Sequence, residues 1–458
     1  MRRTIVINVV GLSPRLIGQQ TPAILALSKR GSIAGVVPSL PAVTASVQAT
    51  YLTGTSPDEH GVVGNGWFDR DNAEVRFWRQ ADALVQRPRV WDILRQYDSS
   101  ATTANSFWWN AMYTSADVTL TPRPMYPADG RKLPDVWTHP PELREQFQSK
   151  LGQFPLFKFW GPMTSVASTK WIVDAAIEVE RRFKPTLHLV YLPHLDYVLQ
   201  RVGPNSPEVA ADLREIDAEV ARLVSMADAA GLGILLLSEY GIVEVDQPVH
   251  LNRVLREHGY LTFRNEFGRE LLDAAACRAF AVADHQIAHV YVRDKNEIPA
   301  VLEIVKNTPG VASAVAGEDR ASLRLNHDRA GDIIALATPR AWFTYYYWQD
   351  DAKAPDFART VDIHRKPGYD PAELFLDPAK PMIKARIAAK LAARKLGQRA
   401  LLDVIPLDAT LVRGSHGLIA EDPLDRPVLI SSEPELLDRP SYEATDVLGI
   451  ILKHVGFA

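Results

Sequence analysis

The sequence predicts an α/β fold built on a mainly parallel central sheet. Three observations carry that reading: short apolar runs that do not alternate, helical patterns between them, and a strand, helix, strand succession in the middle of the chain. Strands buried on both faces read as continuous apolar runs, whereas half-exposed strands alternate.

The first run, TIVINVV at Thr4 to Val10, follows two arginines and so superficially resembles the start of a signal peptide. It is only about six residues long and β-branched, which favours a buried strand, and export is not expected. Ser168 to Phe183 reads as a helix feeding a second strand, TLHLVYL at Thr186 to Leu192. Ser206 as cap, Pro207 at the first helical position and Gly231 as closure delimit the next helix, before a third strand at Gly233 to Ser238. Such a succession makes a right-handed crossover and a parallel sheet, with ligands gathering beyond the carboxyl ends of its strands.

After about His250 the texture changes. AHVYVRDKNEIPAVLEIVKNTPGVASAVAG reads as strand, helix, strand, and an aromatic-rich piece and the loop-like VDIHRKPGYDPAELF follow it. Pro381 to Gln398 is a basic amphipathic helix, read as a solvated outer helix. The expected organisation is a core made of residues 1–250 and 400–458, with 251–399 as an inserted α+β subdomain with aromatic-rich loops.

Composition narrows the function. A chain of 458 residues with 47% hydrophobic content can bury a large core, and a formal charge of −4 lacks the basic excess of a nucleic-acid binder. The single Cys277 excludes an intrachain disulfide framework and a thiolate zinc cage, and it suits a reducing, cytoplasmic setting. No run approaches the roughly 18 apolar residues of a membrane span. The oligomeric state is not specified.

The stretch PAVTASVQATYLTG places Thr44 at the start of a helix over Ala45 to Leu52. Thr there can cap the helix, or its hydroxyl can serve as a nucleophile beside the anion-binding helix terminus. A hydroxyl needs a base or a metal ion to become nucleophilic. Candidates stand beyond other strands: Asp196 in PHLDYVLQRVGP, Glu239 in SEYGI, and His416 in the tight turn RGSHG.

Together these pieces resemble the type I phosphodiesterase and nucleotide pyrophosphatase branch of the alkaline phosphatase superfamily. The resemblance rests on Pro41, Thr44, Thr53 and Gly54, then SPDEHGVVGNGWFD with His60, Gly61, Gly64 and Asn65, then DYVLQRVGP, SEYG and GSHG in the family's order. It implies a three-layer, alkaline-phosphatase-like sandwich. It also implies a nucleophilic Thr44 and two divalent ions, usually zinc, that clamp a phosphate.

Residue by residue, the resemblance retains Thr44, Asp196 and His416 but places Val10 where an Asp is expected, Gln200 for a His, and Glu239 with Tyr240 for an Asp-His pair. A dizinc centre is not expected. The reading is one divalent ion, Zn, Mn or Mg, or none, with Asp196, His416, Gln200 and Glu239 as its ligands. Glu239 is alternatively the general base, and Asn65 and Tyr240 contact substrate. Asp284, His285 and His289, or Asp362, His364 and Asp370, are candidate replacement ligands; His285 and His289 would share a helix face, and His194 and Asp196 a strand face. Phe107 to Tyr113 and Trp342 to Asp350 line a pocket or fill a core, and Arg123, Arg131 and Lys132 offer counter-charges. The expected function is hydrolysis of a phosphodiester, phosphomonoester or pyrophosphate of a small metabolite. The alternative is a non-hydrolytic descendant that binds a phosphorylated ligand or a partner protein.

Overall fold

The computed structural model describes residues 1–457. Its nine-stranded sheet runs, edge to edge, Ser441–Glu443, Ser32–Val37, Val428–Ser431, Gly233–Leu237, Thr4–Val9, Leu187–Leu192, Thr103–Ser106, Val118–Pro122, Val136–His139. The five strands from Gly233–Leu237 to Val118–Pro122 are mutually parallel, and the Val428–Ser431 strand is antiparallel to both its neighbours. Every residue of Thr4–Val9, Leu187–Leu192 and Gly233–Leu237 is buried, so the runs carry no alternation.

Helices Val166–Phe183 and Val209–Ala230 pack on each other, with Pro22–Arg30 against the latter. Thr44–Thr53 packs instead with Val447–Val455. Sheet and two helical groups make the expected α/β sandwich. Among the described residues no helix is long and apolar enough to cross a membrane.

Several boundaries shift from expectation. The strands end at Val9 and Leu237, one residue early, and the second starts at Leu187. Ser206 and Pro207 do not open the helix: Ser206 Oγ accepts Glu208 N–H in a turn, and the helix begins at Val209. The earlier helix begins at Val166, and the basic one spans Ile383–Lys395. Turn chemistry absorbed residues that also read as a cap.

Between the strands Gly233–Leu237 and Val428–Ser431 the chain builds a four-stranded antiparallel sheet, ordered Ala279–Asp284, Ile287–Val292, Ile333–Ala337, Val311–Ala316. The helix Ile298–Lys306 packs on it. His285 and Gln286 form the tip of its first hairpin. His285 and His289 therefore share no helix face.

Candidate active site

The first three parallel strands deliver their following residues to one end of the sheet. Asn8 sits opposite Tyr191 and Leu237 in register, and the chain beyond Leu192 turns straight into the helix His194–Val202, which carries Asp196 and Gln200. Thr44 is the first residue of its helix, but Val43 is the flanking residue, and neither it nor Thr44 caps that end with its side chain. The Thr44 hydroxyl instead lies 3.1 Å from the Tyr240 phenol oxygen. Its capping reading is thereby corrected.

Tyr240 then donates to Asp196 Oδ1 at 3.1 Å, Gln200 Nε2 donates to Asp196 Oδ2 at 2.7 Å, and Tyr369 donates to Gln200 Oε1 at 3.0 Å. Both Asp196 oxygens are thus held by neutral donors. Because His194–Val202 is helical, His194 and Asp196 do not share a face, contrary to the strand expectation.

The two phenols end a column of four rings. Tyr240 lies on His416 with centroids 3.6 Å apart, His416 on His285 at 3.6 Å, and His285 on Tyr369 at 3.8 Å. His416 is fixed from its other side, since Nδ1 donates to the Ala42 carbonyl at 2.7 Å while Ala42 N–H donates to Gly417 at 3.0 Å. That leaves Nε2 facing Asp196 Oδ1 at 3.8 Å. Gly417 has φ of +120°, and a Cβ there would meet the Gln286 nitrogen at 2.9 Å, so the turn and the hairpin tip close on each other only with glycine.

Glu239 is fully buried beside Thr44. Its Oε1 accepts from Asn8 Nδ2 at 2.6 Å and from Gln48 Nε2, while Gln48 Oε1 accepts the Trp109 N–H at 2.5 Å. Glu239 Oε2 has no hydrogen-bond partner. Asn65 Oδ1 accepts Ala45 N–H at 3.0 Å, and the Asn65 amide and backbone donate to Asp284 at 3.1 and 2.7 Å.

The structure therefore gathers Thr44, Asn65, Asp196, Gln200, Glu239, Tyr240 and His416, and brings Asp284 and His285 beside them. His289 lies on the strand Ile287–Val292, where its Nδ1 accepts Gly331 N–H at 3.0 Å. His364 Nδ1 donates to the Phe77 carbonyl at 3.2 Å, and Asp362 stands near Lys132 and Arg365. Arg131 pairs with Asp129 on the surface at 2.7 Å. Trp342 and Tyr345 to Trp348 are buried core, whereas Trp78 and Trp160 flank Tyr369. Asn8, Gln48, Tyr191 and Tyr369 are absent from the sequence reading. Asn8 is the one amide in an apolar strand, and Gln48 stands one helical turn after Thr44; Tyr369 has no comparable signal.

Burial sets the charge state of the site. It pushes the Asp196 carboxyl up to about 7 against the Tyr240 and Gln200 hydrogen bonds, and Glu239 up to about 8 against those of Gln48 and Asn8. Burial likewise raises Asp284 to about 7 and lowers His416 to about 3, despite its bond to Ala42. The centre is a low-charge cluster, with His416 a neutral imidazole.

These residues do not fit a two-zinc centre. Val10 is apolar and fully buried, Gln200 turns its NH2 group toward Asp196, and the Tyr240 phenol occupies the space between Thr44 and Asp196. Each zinc requires about four N, S or O donors. Of the ligand positions that the resemblance names, His416 Nε2 and Asp196 Oδ1 stand 3.8 Å apart.

The sheet and its flanking helices make an alkaline-phosphatase-like fold. More narrowly, the chain belongs to the type I phosphodiesterase / nucleotide pyrophosphatase family of hydrolases, whose sequence profile it matches over residues 4–370. It is 24% identical over 242 residues to an uncharacterized pyrophosphatase/phosphodiesterase from Schizosaccharomyces pombe, covering 51% of this chain. The match spans 42% of that relative, less than half its length. Human ectonucleotide pyrophosphatase / phosphodiesterase 5 superposes with a TM-score of 0.60 at 14% identity, covering 100% of this chain and 96% of that one. Phosphonoacetate hydrolase from Sinorhizobium meliloti 1021, in complex with phosphonoformate, gives 0.63 at 14% identity over 99% and 96% of the two chains. At that identity the likeness is one of fold.

Proposed function

We propose that this chain cleaves a phosphodiester, phosphomonoester or pyrophosphate of a small metabolite, with Thr44 as nucleophile. The observation that carries the reading is the Thr44 hydroxyl: it caps nothing, stands at the positive end of a ten-residue buried helix, and meets Tyr240 with Glu239 beside it. Thr44 Oγ1 attacks phosphorus as its proton passes to the Glu239 carboxylate, the bond from phosphorus to the leaving oxygen breaks, and that oxygen takes up the proton, which restores the carboxylate. Water then releases the phosphoryl group from Thr44, restoring the hydroxyl. Tyr240 and Asn65 orient phosphoryl oxygens. The pyrophosphatase/phosphodiesterase name of the yeast relative and the phosphonate bound to the bacterial hydrolase support an anion of this class.

A single divalent ion, where bound, is held by Asp196 and His416 and supplies positive charge to the phosphoryl oxygens. The chain's own residues supply nucleophile, base and orientation. A chromogenic phosphodiester and a nucleotide panel test the reading: turnover should appear and vanish in Thr44→Ala. Undiminished turnover in that variant overturns it.

One observation favours a second reading, a binding protein for a phosphorylated ligand. The Tyr240 phenol bridges Thr44 and Asp196 and so occupies the nucleophile's surroundings. On that reading the same nucleotide panel raises the melting temperature while no ester turns over.

A further inference from the structure

The helix His194–Val202 presents a second cluster, away from Asp196. Residues two apart on a helix point about 200° apart, so while Asp196 meets Tyr240, His194 meets the helix Val209–Ala230. There Asp212 and Glu215, three residues apart, lie on one face. His194 Nε2 stands 3.1 Å from Asp212 Oδ1 and 3.2 Å from Glu215 Oε2.

Neither carboxylate takes a hydrogen bond from it. His194 is only 2% exposed, yet both of its ring nitrogens are buried without a hydrogen-bond partner. Buried imidazole nitrogens are ordinarily bonded. An unpartnered nitrogen held between two carboxylate oxygens, aligned with neither, is the arrangement expected of three donors sharing a central cation.

The spacing agrees. Three ligand atoms, one from each residue, lie within 4.8 Å of one another. Around a tetrahedral zinc with bonds of about 2.0 Å, neighbouring donors stand about 3.3 Å apart, close to the 3.1 and 3.2 Å seen here. One imidazole with two carboxylates is a mixed N/O set that suits zinc or manganese better than calcium or magnesium. Glu215, with a side chain 51% exposed, leaves the remaining position open to water.

We propose that His194, Asp212 and Glu215 form a divalent-cation site of the zinc class, separate from the Thr44 site. The ion ties the start of the helix that carries Asp196 and Gln200 to the long helix behind it. Its influence on the active site is positional.

The test uses the full chain, stripped with chelator and titrated with zinc alone. Calorimetry and elemental analysis compare the natural chain with Asp212→Asn/Glu215→Gln and, separately, with Asp196→Asn/His416→Ala. The natural chain should take up zinc and melt several degrees higher with it. The Asp212→Asn/Glu215→Gln variant should lose at least tenfold in affinity and show no rise, whereas Asp196→Asn/His416→Ala should keep this equivalent. Cobalt(II) should give the visible band of a four-coordinate ion in the natural chain and not in the first variant. Should that double variant misfold by circular dichroism, Glu215→Gln alone, half-exposed, should still weaken zinc binding. Zinc uptake by the first variant equal to that of the natural chain overturns the proposal. No zinc uptake by the natural chain also overturns it and leaves an imidazolium ion pair.

Discussion

Tyr240 lies flat on His416, 6° from parallel with ring centroids 3.6 Å apart, and its phenol reaches past the imidazole to Thr44 and Asp196. The ring and the hydroxyl therefore have separable roles. In Tyr240→Phe the stack should persist while Asp196 loses one of its two donors, a cost of about 1–3 kcal/mol for a buried carboxyl. If Tyr240 orients substrate, KM should rise more than kcat falls. Denaturant unfolding and steady-state kinetics check the two parts, and an unchanged KM removes Tyr240 from the substrate contacts.

Thr44 should matter for chemistry far more than for folding. Its hydroxyl makes one hydrogen bond, to Tyr240, worth about 1 kcal/mol. Thr44→Ala should thus melt within a few degrees of the natural chain yet lose about a thousandfold or more in turnover. Thr44→Ser should retain activity. A phosphorylated chain trapped after a rapid quench, present with Ser or Thr and absent with Ala, would identify the covalent step.

Glu239 links pH to both rate and stability. Burial lifts its carboxyl from 4.5 to about 8, so the folded chain keeps a proton that the unfolded chain releases. Its stability contribution is full below the unfolded value and is lost as pH rises through the folded one, at about 1.4 kcal/mol per pH unit. Asp196 and Asp284, both raised to about 7, act in the same direction. The buried neutral histidines, His416 among them, act in the opposite sense below about pH 6.5, so the Glu239 contribution is read as a difference: between roughly pH 5 and pH 8.5 the melting temperature of the natural chain should fall relative to that of Glu239→Gln. Turnover moves the opposite way, because a general base must be ionised: it should climb toward about pH 8. Glu239→Gln should abolish that limb with about a hundredfold loss or more.

The core of this fold is plain in the sequence because its strands are buried on both faces and so are spelled without alternation. Thr44, Asp196, Glu239 and His416 stand out for the complementary reason: each is a polar residue just outside an apolar element. His285 and Tyr369 are different. They reach His416 through a hairpin tip and an irregular loop, joined to the core by contacts from His285 to His416 and from Tyr369 to Gln200 that each span over a hundred residues. No local periodicity encodes such a meeting. Tyr240 was legible as a substitution in a familiar motif, but its bridging phenol depends on the three-dimensional distance between two strand ends.

The loop that supplies Tyr369 is anchored by a buried ion triad, which gives the last prediction. Lys366 Nζ lies 2.7 Å from both Asp370 Oδ2 and Glu373 Oε1, and the side chains of all three are at most 2% exposed. Burial pulls the Lys366 amine down, yet the two carboxylates outweigh it and its pKa rises. The remaining oxygens are also used: Ala372 N–H donates to Asp370 at 3.1 Å, and the Trp160 indole donates to Glu373 Oε2 at 2.5 Å. Lys366→Met removes the only cation of the triad and leaves two carboxylates desolvated side by side, a change expected to cost about 3–5 kcal/mol. Because Tyr369 lies between Lys366 and Asp370 in sequence, the loss should also release its ring from His285 and free Gln200 Oε1. Replacing all three charges with apolar residues of similar size should recover most of the stability, since such triads exchange for packed side chains at little cost. Chemical denaturation of the two variants distinguishes the cases; equal losses in both would assign the stabilisation to the ionic contacts themselves rather than to the avoidance of unpaired charge.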